Sequence, residues 1–145
     1  MKIRHGIICA AYLILLKDNK VLLLRRFNTG YEDGNYSLPA GHVEEGESVS
    51  DTMVREAKEE IDINIKKEDI TLSHTMHRLK TDKNDERLDF FFVCRNFGGE
   101  IKNLEPQKCD DLSWFDIDGL PQNVVPYVAL AVKDSLERVS YSEIK

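Results

Sequence analysis

The sequence predicts an α/β sandwich around a mixed sheet, on three observations. Strand-like apolar segments recur along the chain, one amphipathic helix interrupts them, and a second helix pattern lies towards the C-terminus. Residues 7–16 are apolar without alternation, the pattern of a strand covered on both faces. Asp18-Asn19 supplies a turn, and Val21–Arg26 returns as a second strand, so the two form a hairpin. Residues 28–46 place Gly30, Gly34, Pro39, Gly41 and Gly46 among polar residues and read as a long loop, a feature that compact domains usually keep for function. Ser48 or one of its neighbours opens a helix that runs to about Ile61. Two further strands follow at Thr71–Leu79 and Leu88–Phe97, joined by the polar turn Thr81–Glu86. A loop covers 98–111, and a short apolar piece spans Leu112–Phe115. Pro126–Arg138 has helical spacing behind a proline, which suits a first helical turn.

Composition sets the outer limits. A chain of 145 residues, 41% hydrophobic and 32% charged, can bury one core, and with no repeat or linker it reads as one domain over 1–145. The formal net charge is −6 with no block of Lys and Arg, which argues against a nucleic acid polymer as partner. A small phosphorylated substrate stays compatible if metal ions cover the repulsion. Cys9, Cys94 and Cys109 are odd in number, far apart and without a CxxC pair, as in a cytoplasmic protein with reduced thiols and no zinc site. His74 and His77 stand three apart in a strand and so point to opposite faces rather than at one metal. Lys2 and Arg4 before the apolar run imitate a secretory signal. Lys17-Asp18-Asn19-Lys20 follows in place of a cleavage site, and the run is too short to span a bilayer, so no membrane partner is expected. Trp114 and Phe115 are expected in the core rather than as a base-stacking platform. The sequence leaves oligomeric state open, a homodimer being compatible.

The helix at 48–61 carries the chemistry. Val49, Met53, Val54, Ala57 and Ile61 fill one arc, so this helix packs on the sheet. Glu56, Glu59 and Glu60 fall at i, i+3 and i+4 beside that arc, while Asp51 and Lys58 point to water. A solvated face would explain most Glu-rich helices, but such faces alternate in sign. Like charges at these spacings cost about 0.2–0.5 kcal/mol per pair, and more beside a packed surface. A bound cation would offset that cost. Oxygen donors without thiolate or imidazole select hard ions, Mg²⁺ first and Mn²⁺ as a substitute.

Gly41, five residues, Glu47, seven residues and then Arg55-Glu56-Ala57-Lys58-Glu59-Glu60-Ile61 resembles the Nudix box, GX5EX7REUXEEXGU, spanning Gly41 to Ile63. Six fixed residues make a chance match on the order of one in a hundred thousand. The resemblance implies a Nudix-type α/β/α sandwich with a central mixed β-sheet. It also implies Mg²⁺-dependent hydrolysis of a diphosphate linkage in a nucleoside diphosphate derivative. Two alternatives are a nucleotide-sensing module that does not cut, and a diphosphatase acting on a non-nucleoside phosphate. An intact set of three acids favours hydrolysis over sensing. One departure stands out: Asp62 replaces the Gly that closes the box helix in a left-handed conformation, which Asp tolerates better than most residues.

By resemblance, Glu56, Glu59 and Glu60 bind the metal, helped by the backbone carbonyl of Ala40. Arg55 pairs with one of the acids, Glu47 orients the network from the loop, and Glu56 is the candidate base. Glu105, in the loop after the last long strand, is a candidate extra acid, against the plain reading of an exposed Glu. Arg26 ends the second strand beside the long loop and is a candidate for holding a substrate phosphate. Arg25 and Arg26 alternate faces, so at most one of them does so. Specificity is expected from loops 27–36 and 98–111, which name neither base nor leaving group.

Overall fold

In the computed structural model, which describes residues 2–145, the run at 7–16 forms β1 (Ile8–Lys17). Every residue from Ala10 to Leu16 is buried, because a layer covers each side of the strand. Ala10, Tyr12, Ile14 and Leu16 face α2 (Pro126–Leu136) in one core cluster. Ala11, Leu13 and Leu15 face α1 (Val49–Ile61) in the other. A continuous apolar strand requires this arrangement, since its two faces both need cover.

Around β1 the sheet is mixed, as the sequence predicts. β1 makes a hairpin with β2 (Lys20–Arg26), and β2 in turn pairs antiparallel with β3 (Tyr36–Ser37) and β7 (Cys109–Asp116). On its other side β1 runs parallel to β6 (Arg87–Cys94), and near its start it pairs antiparallel with β4 (Ala40–His42). β5 (Ile70–Arg78) continues the sheet, antiparallel to β6, and β8 (Tyr141–Ile144) closes it parallel to β5.

Several elements depart from expectation, among them β6, which ends at Cys94 rather than Phe97. The stretch 28–46 is not all loop: it contains β3 and β4, two and three residues long, below what a period-2 pattern can reveal. Leu112–Phe115 extends to Cys109–Asp116, because β2 also supplies partners for Asp111 and Cys109, with a register shift at Asp110. Helix α2 ends at Leu136, short of Arg138, whose φ is 61°, and the chain returns as β8 on the sheet edge. Trp114 packs on the α1 side and Phe115 on the α2 side, edge-on to Tyr36 with ring centroids 4.9 Å apart. Both are partly buried against the core clusters rather than fully inside them. His74 is fully buried between the Val139 carbonyl at 2.6 Å and Ser142 Oγ at 2.7 Å, whereas His77 Nε2 meets Glu86 Oε2 at 2.6 Å. The two imidazoles therefore have separate partners. No helix among the described residues is long and apolar enough to cross a membrane.

Candidate active site

Helix α1 begins and ends by local rules. Ser48 Oγ accepts from the Asp51 amide at 3.0 Å, an N-cap that satisfies one of the helix's free donors. At the far end Asp62 adopts φ 60°, ψ 30°, and its amide reaches back to the carbonyls of Ala57 and Lys58. Asp thus fills the left-handed position, and its carboxylate pairs with Lys58 at 2.8 Å. Between these caps Met53, Ala57 and Ile61 are buried against the sheet, which sets Glu56 and Glu60 at the edge of the packed face.

The acids do not all converge. Glu60 Oε1 accepts from the Ala40 amide at 2.8 Å, and its carboxyl stands against that of Glu56. Burial, then the Glu56 charge, and more weakly Glu105, push the Glu60 carboxyl well above the usual range, against the Ala40 hydrogen bond. Burial also raises Glu56, with the neighbouring Arg55 opposing it. Glu59 is different: its side chain is 53% exposed and turned to Arg55 at the rim. The three carboxylates expected to share a groove all line it, but only Glu56 and Glu60 meet, while Glu59 stands at its exposed rim. Among the described residues no group of three or more His, Cys, Asp or Glu side chains converges as a metal cage.

Arg55 organises what surrounds them. Its Nε and Nη2 donate to the two oxygens of Glu47 at 2.7 and 3.0 Å, a two-pronged pairing that fixes both planes. Nη1 donates to Glu56 at 2.8 Å and Glu59 at 3.2 Å, and Nη2 also reaches the His42 carbonyl at 3.2 Å. Glu47 accepts from Thr52 Oγ1 at 2.6 Å as well, and with Arg55 as the main cause its carboxyl is held down to about 2. Arg55 therefore bridges the loop acid Glu47 to Glu56 and Glu59, the pairing and orienting geometry expected of it. Gly41 makes room for the Glu56 side chain: a Cβ there would lie 2.1 Å from its carboxyl carbon, so Glu56 would have to shift.

The box acids face a cleft of about 500 Å³. Glu56, Glu59, Glu60 and Ala40 form one wall, and Glu105, Lys108 and Arg26 stand elsewhere on its lining. Glu105 arrives there because the loop is pinned to the end of α1, with Leu104 N donating to the Glu60 carbonyl and Lys102 N to that of Ile61, both at 3.0 Å. Arg26 is held by the Tyr31 carbonyl at 2.7 Å and Thr29 Oγ1 at 3.1 Å, whereas Arg25 turns away to Asp110 at 2.7 Å. The alternation expected of the pair is what the strand delivers. Arg55 and Glu47 lie behind the wall rather than on it. Sequence reasoning missed Thr52, Lys108 and Asn103. Thr52 carried a signal, being a polar residue set between the apolar Val49, Met53 and Val54; the loop residues carried none.

A profile described as the NUDIX domain matches residues 8–134. The chain is 34% identical over 109 residues to an ADP-ribose pyrophosphatase of Methanocaldococcus jannaschii, covering 75% of this chain and 62% of the relative. It is 31% identical over 119 residues to the NAD-capped RNA hydrolase NudC of Chromobacterium violaceum, covering 82% of this chain and 42% of that protein. It thus spans under two thirds of the length of these relatives. The crystal structure of a MutT NUDIX hydrolase from Burkholderia pseudomallei superposes with a TM-score of 0.82 at 25% identity, covering 90% of this chain and 98% of the other. Fold, box geometry and a profile spanning most of the sequence agree that this chain belongs to the Nudix family.

Proposed function

We propose that this chain hydrolyses a diphosphate linkage in a small nucleoside diphosphate derivative, with Mg²⁺ as cofactor and Mn²⁺ as substitute, and that its 145 residues act as one unit in the cytoplasm. The observation that carries the reading is the pair Glu56 and Glu60, two half-buried carboxyls held together in a cleft at the cost of mutual repulsion. Such a pair is stabilised by a proton or by a cation, and its all-oxygen donors suit a hard ion. Nudix hydrolases generally need a divalent ion. Glu56, Glu59 and Glu60 would hold it here, with the Ala40 carbonyl as a further donor. When bound, such an ion supplies charge neutralisation on the diphosphate oxygens and lowers the pKa of a water.

The chain's own residues divide the remaining work. Glu56, raised by burial, takes the proton from the attacking water. Arg55, locked to Glu47, fixes the rotamers of Glu56 and Glu59. Arg26 faces the cleft and binds a substrate phosphate, and Glu105 contributes a second acid from another part of the lining. Three unpaired thiols support a reducing compartment. The net charge of −6 favours a free nucleotide over an RNA end. The test is a nucleotide panel with Mg²⁺ in ¹⁸O-labelled water, read by phosphorus NMR. The expected result is two phosphorylated or phosphate-bearing products with label on one of them. Tight binding of a nucleotide with no turnover would make the chain a sensor, and turnover of non-nucleoside diphosphates alone would remove the nucleoside.

A further inference from the structure

We propose that a second, electropositive cavity beside the acidic cleft receives an additional phosphate of the substrate, one lying beyond the diphosphate that is cut. This rests on the hydrolase reading above and names a feature of its substrate. The cavity measures about 270 Å³ and shares Arg26, Ala40, Gly41 and His42 with the cleft, so β4 forms the rim between them. A substrate held at Glu56 and Glu60 therefore reaches it without leaving the protein surface.

Strand register builds the cavity's charge. Arg78 on β5 lies directly opposite Arg87 on β6, a like-charged cross-strand pair that costs stability. Asp89, two residues along β6, offsets only part of it. Arg78 Nε donates to Asp89 Oδ2 at 2.6 Å and the guanidinium covers the Tyr127 ring at 3.7 Å. Its two terminal nitrogens make no hydrogen bond among the described residues. Arg87 Nη1 meets His42 Nε2 at 3.0 Å. A guanidinium can only donate, so the imidazole accepts and is neutral. Among the described residues the Arg26 guanidinium bonds only to the Tyr31 carbonyl and Thr29 Oγ1. Arg78 and Arg87 thus share the one carboxylate of Asp89, and Arg26 adds a third guanidinium to the cavity's lining.

A solvated surface cluster is the plain alternative, and burial speaks against it. Arg78 is 8% exposed, and among the described residues its two terminal nitrogens have no acceptor. Buried polar groups are ordinarily satisfied, and excess buried charge is ordinarily paired. Guanidinium forks match phosphate geometry, so a phosphate supplies what the cavity lacks. A neutral sugar or an unsubstituted base would not.

The test separates this inference from the hydrolase reading. Thermal melts of the metal-free protein in EDTA, at constant ionic strength, are titrated with inorganic phosphate. Wild type should gain stability with phosphate. Arg87→Gln should lose most of that gain, and Glu59→Gln should keep it. Among the described residues Arg87 has one side-chain hydrogen-bond partner, His42 at the exposed rim, so the variant should fold. Kinetically, Arg87→Gln should raise KM for a nucleoside triphosphate roughly tenfold more than for a nucleoside diphosphate linked to a neutral sugar. No phosphate effect in wild type, an equal gain in Arg87→Gln, or equal KM changes for both substrates would overturn the inference. An active wild type blind to phosphate loses this cavity alone, and a phosphate-binding wild type without turnover loses the hydrolase.

Discussion

Replacing Glu60 with Gln tests whether the box helix is a site or merely an acidic surface. The substitution keeps shape and the hydrogen bond from the Ala40 amide, and lets the new amide group donate to Glu56. It removes one charge from a pair that burial and repulsion have made hard to ionise. The folded Glu60 carboxyl titrates above its unfolded value near 4.3. Folded protein therefore holds the proton more tightly than unfolded chain, and metal-free wild type loses stability as pH rises from the unfolded pKa through the folded one. Each tenfold difference in proton affinity is worth about 1.4 kcal/mol. Above that window, near pH 8 in EDTA, Glu60→Gln should be the more stable protein, with the higher Tm. Near pH 4 the two proteins should melt together. Mg²⁺ at a hundredfold excess over its Kd should add about 2.7 kcal/mol to wild type, and little to the variant. Melts at pH 4, 6 and 8, each with EDTA and with Mg²⁺, read all of this. Equal Mg²⁺ gains in both proteins, or a variant less stable than wild type at pH 8, would refute the reasoning.

Other substitutions probe separate parts. Gly41→Ala drives a Cβ into the Glu56 carboxyl, so turnover should fall by roughly tenfold or more with Tm within a few degrees; unchanged kinetics would show that Glu56 can move aside freely. Asp62→Gly relieves a left-handed φ of 60° but loses the Lys58 pair. The two nearly offset, leaving a net gain of about 0.5 kcal/mol by denaturant melts; a tenfold change in kcat would mean that Asp62 touches the site. Activity should vanish in EDTA, return with Mg²⁺ or Mn²⁺, and return poorly with Ca²⁺, whose longer bonds relax the geometry; full activity in EDTA would remove the metal from the mechanism.

Much of this molecule could be read from the sequence because its signals are local. The apolar run of β1, the hairpin turn and the caps of α1 at Ser48 and Asp62 depend on neighbouring residues, and helical spacing alone sets Glu56 and Glu60 beside the packed face. The spacing of the box likewise identified Arg55 and Glu47, which the fold joins through a two-pronged ion pair. What the sequence left undecided depends on residues far apart in the chain. β3, β4 and β8 exist because partner strands offer them hydrogen bonds, not because their few residues favour extension. Glu59 turns to the rim, and Glu105 reaches the cleft only because Leu104 and Lys102 hook onto the end of α1. The arginine-rich cavity is the extreme case. Arg26, Arg78 and Arg87 come from three strands, and only cross-strand register places Arg78 opposite Arg87 and both near Asp89. Periodicity fixes which face a side chain takes; pairing between strands, which no short window of sequence encodes, fixes its neighbours.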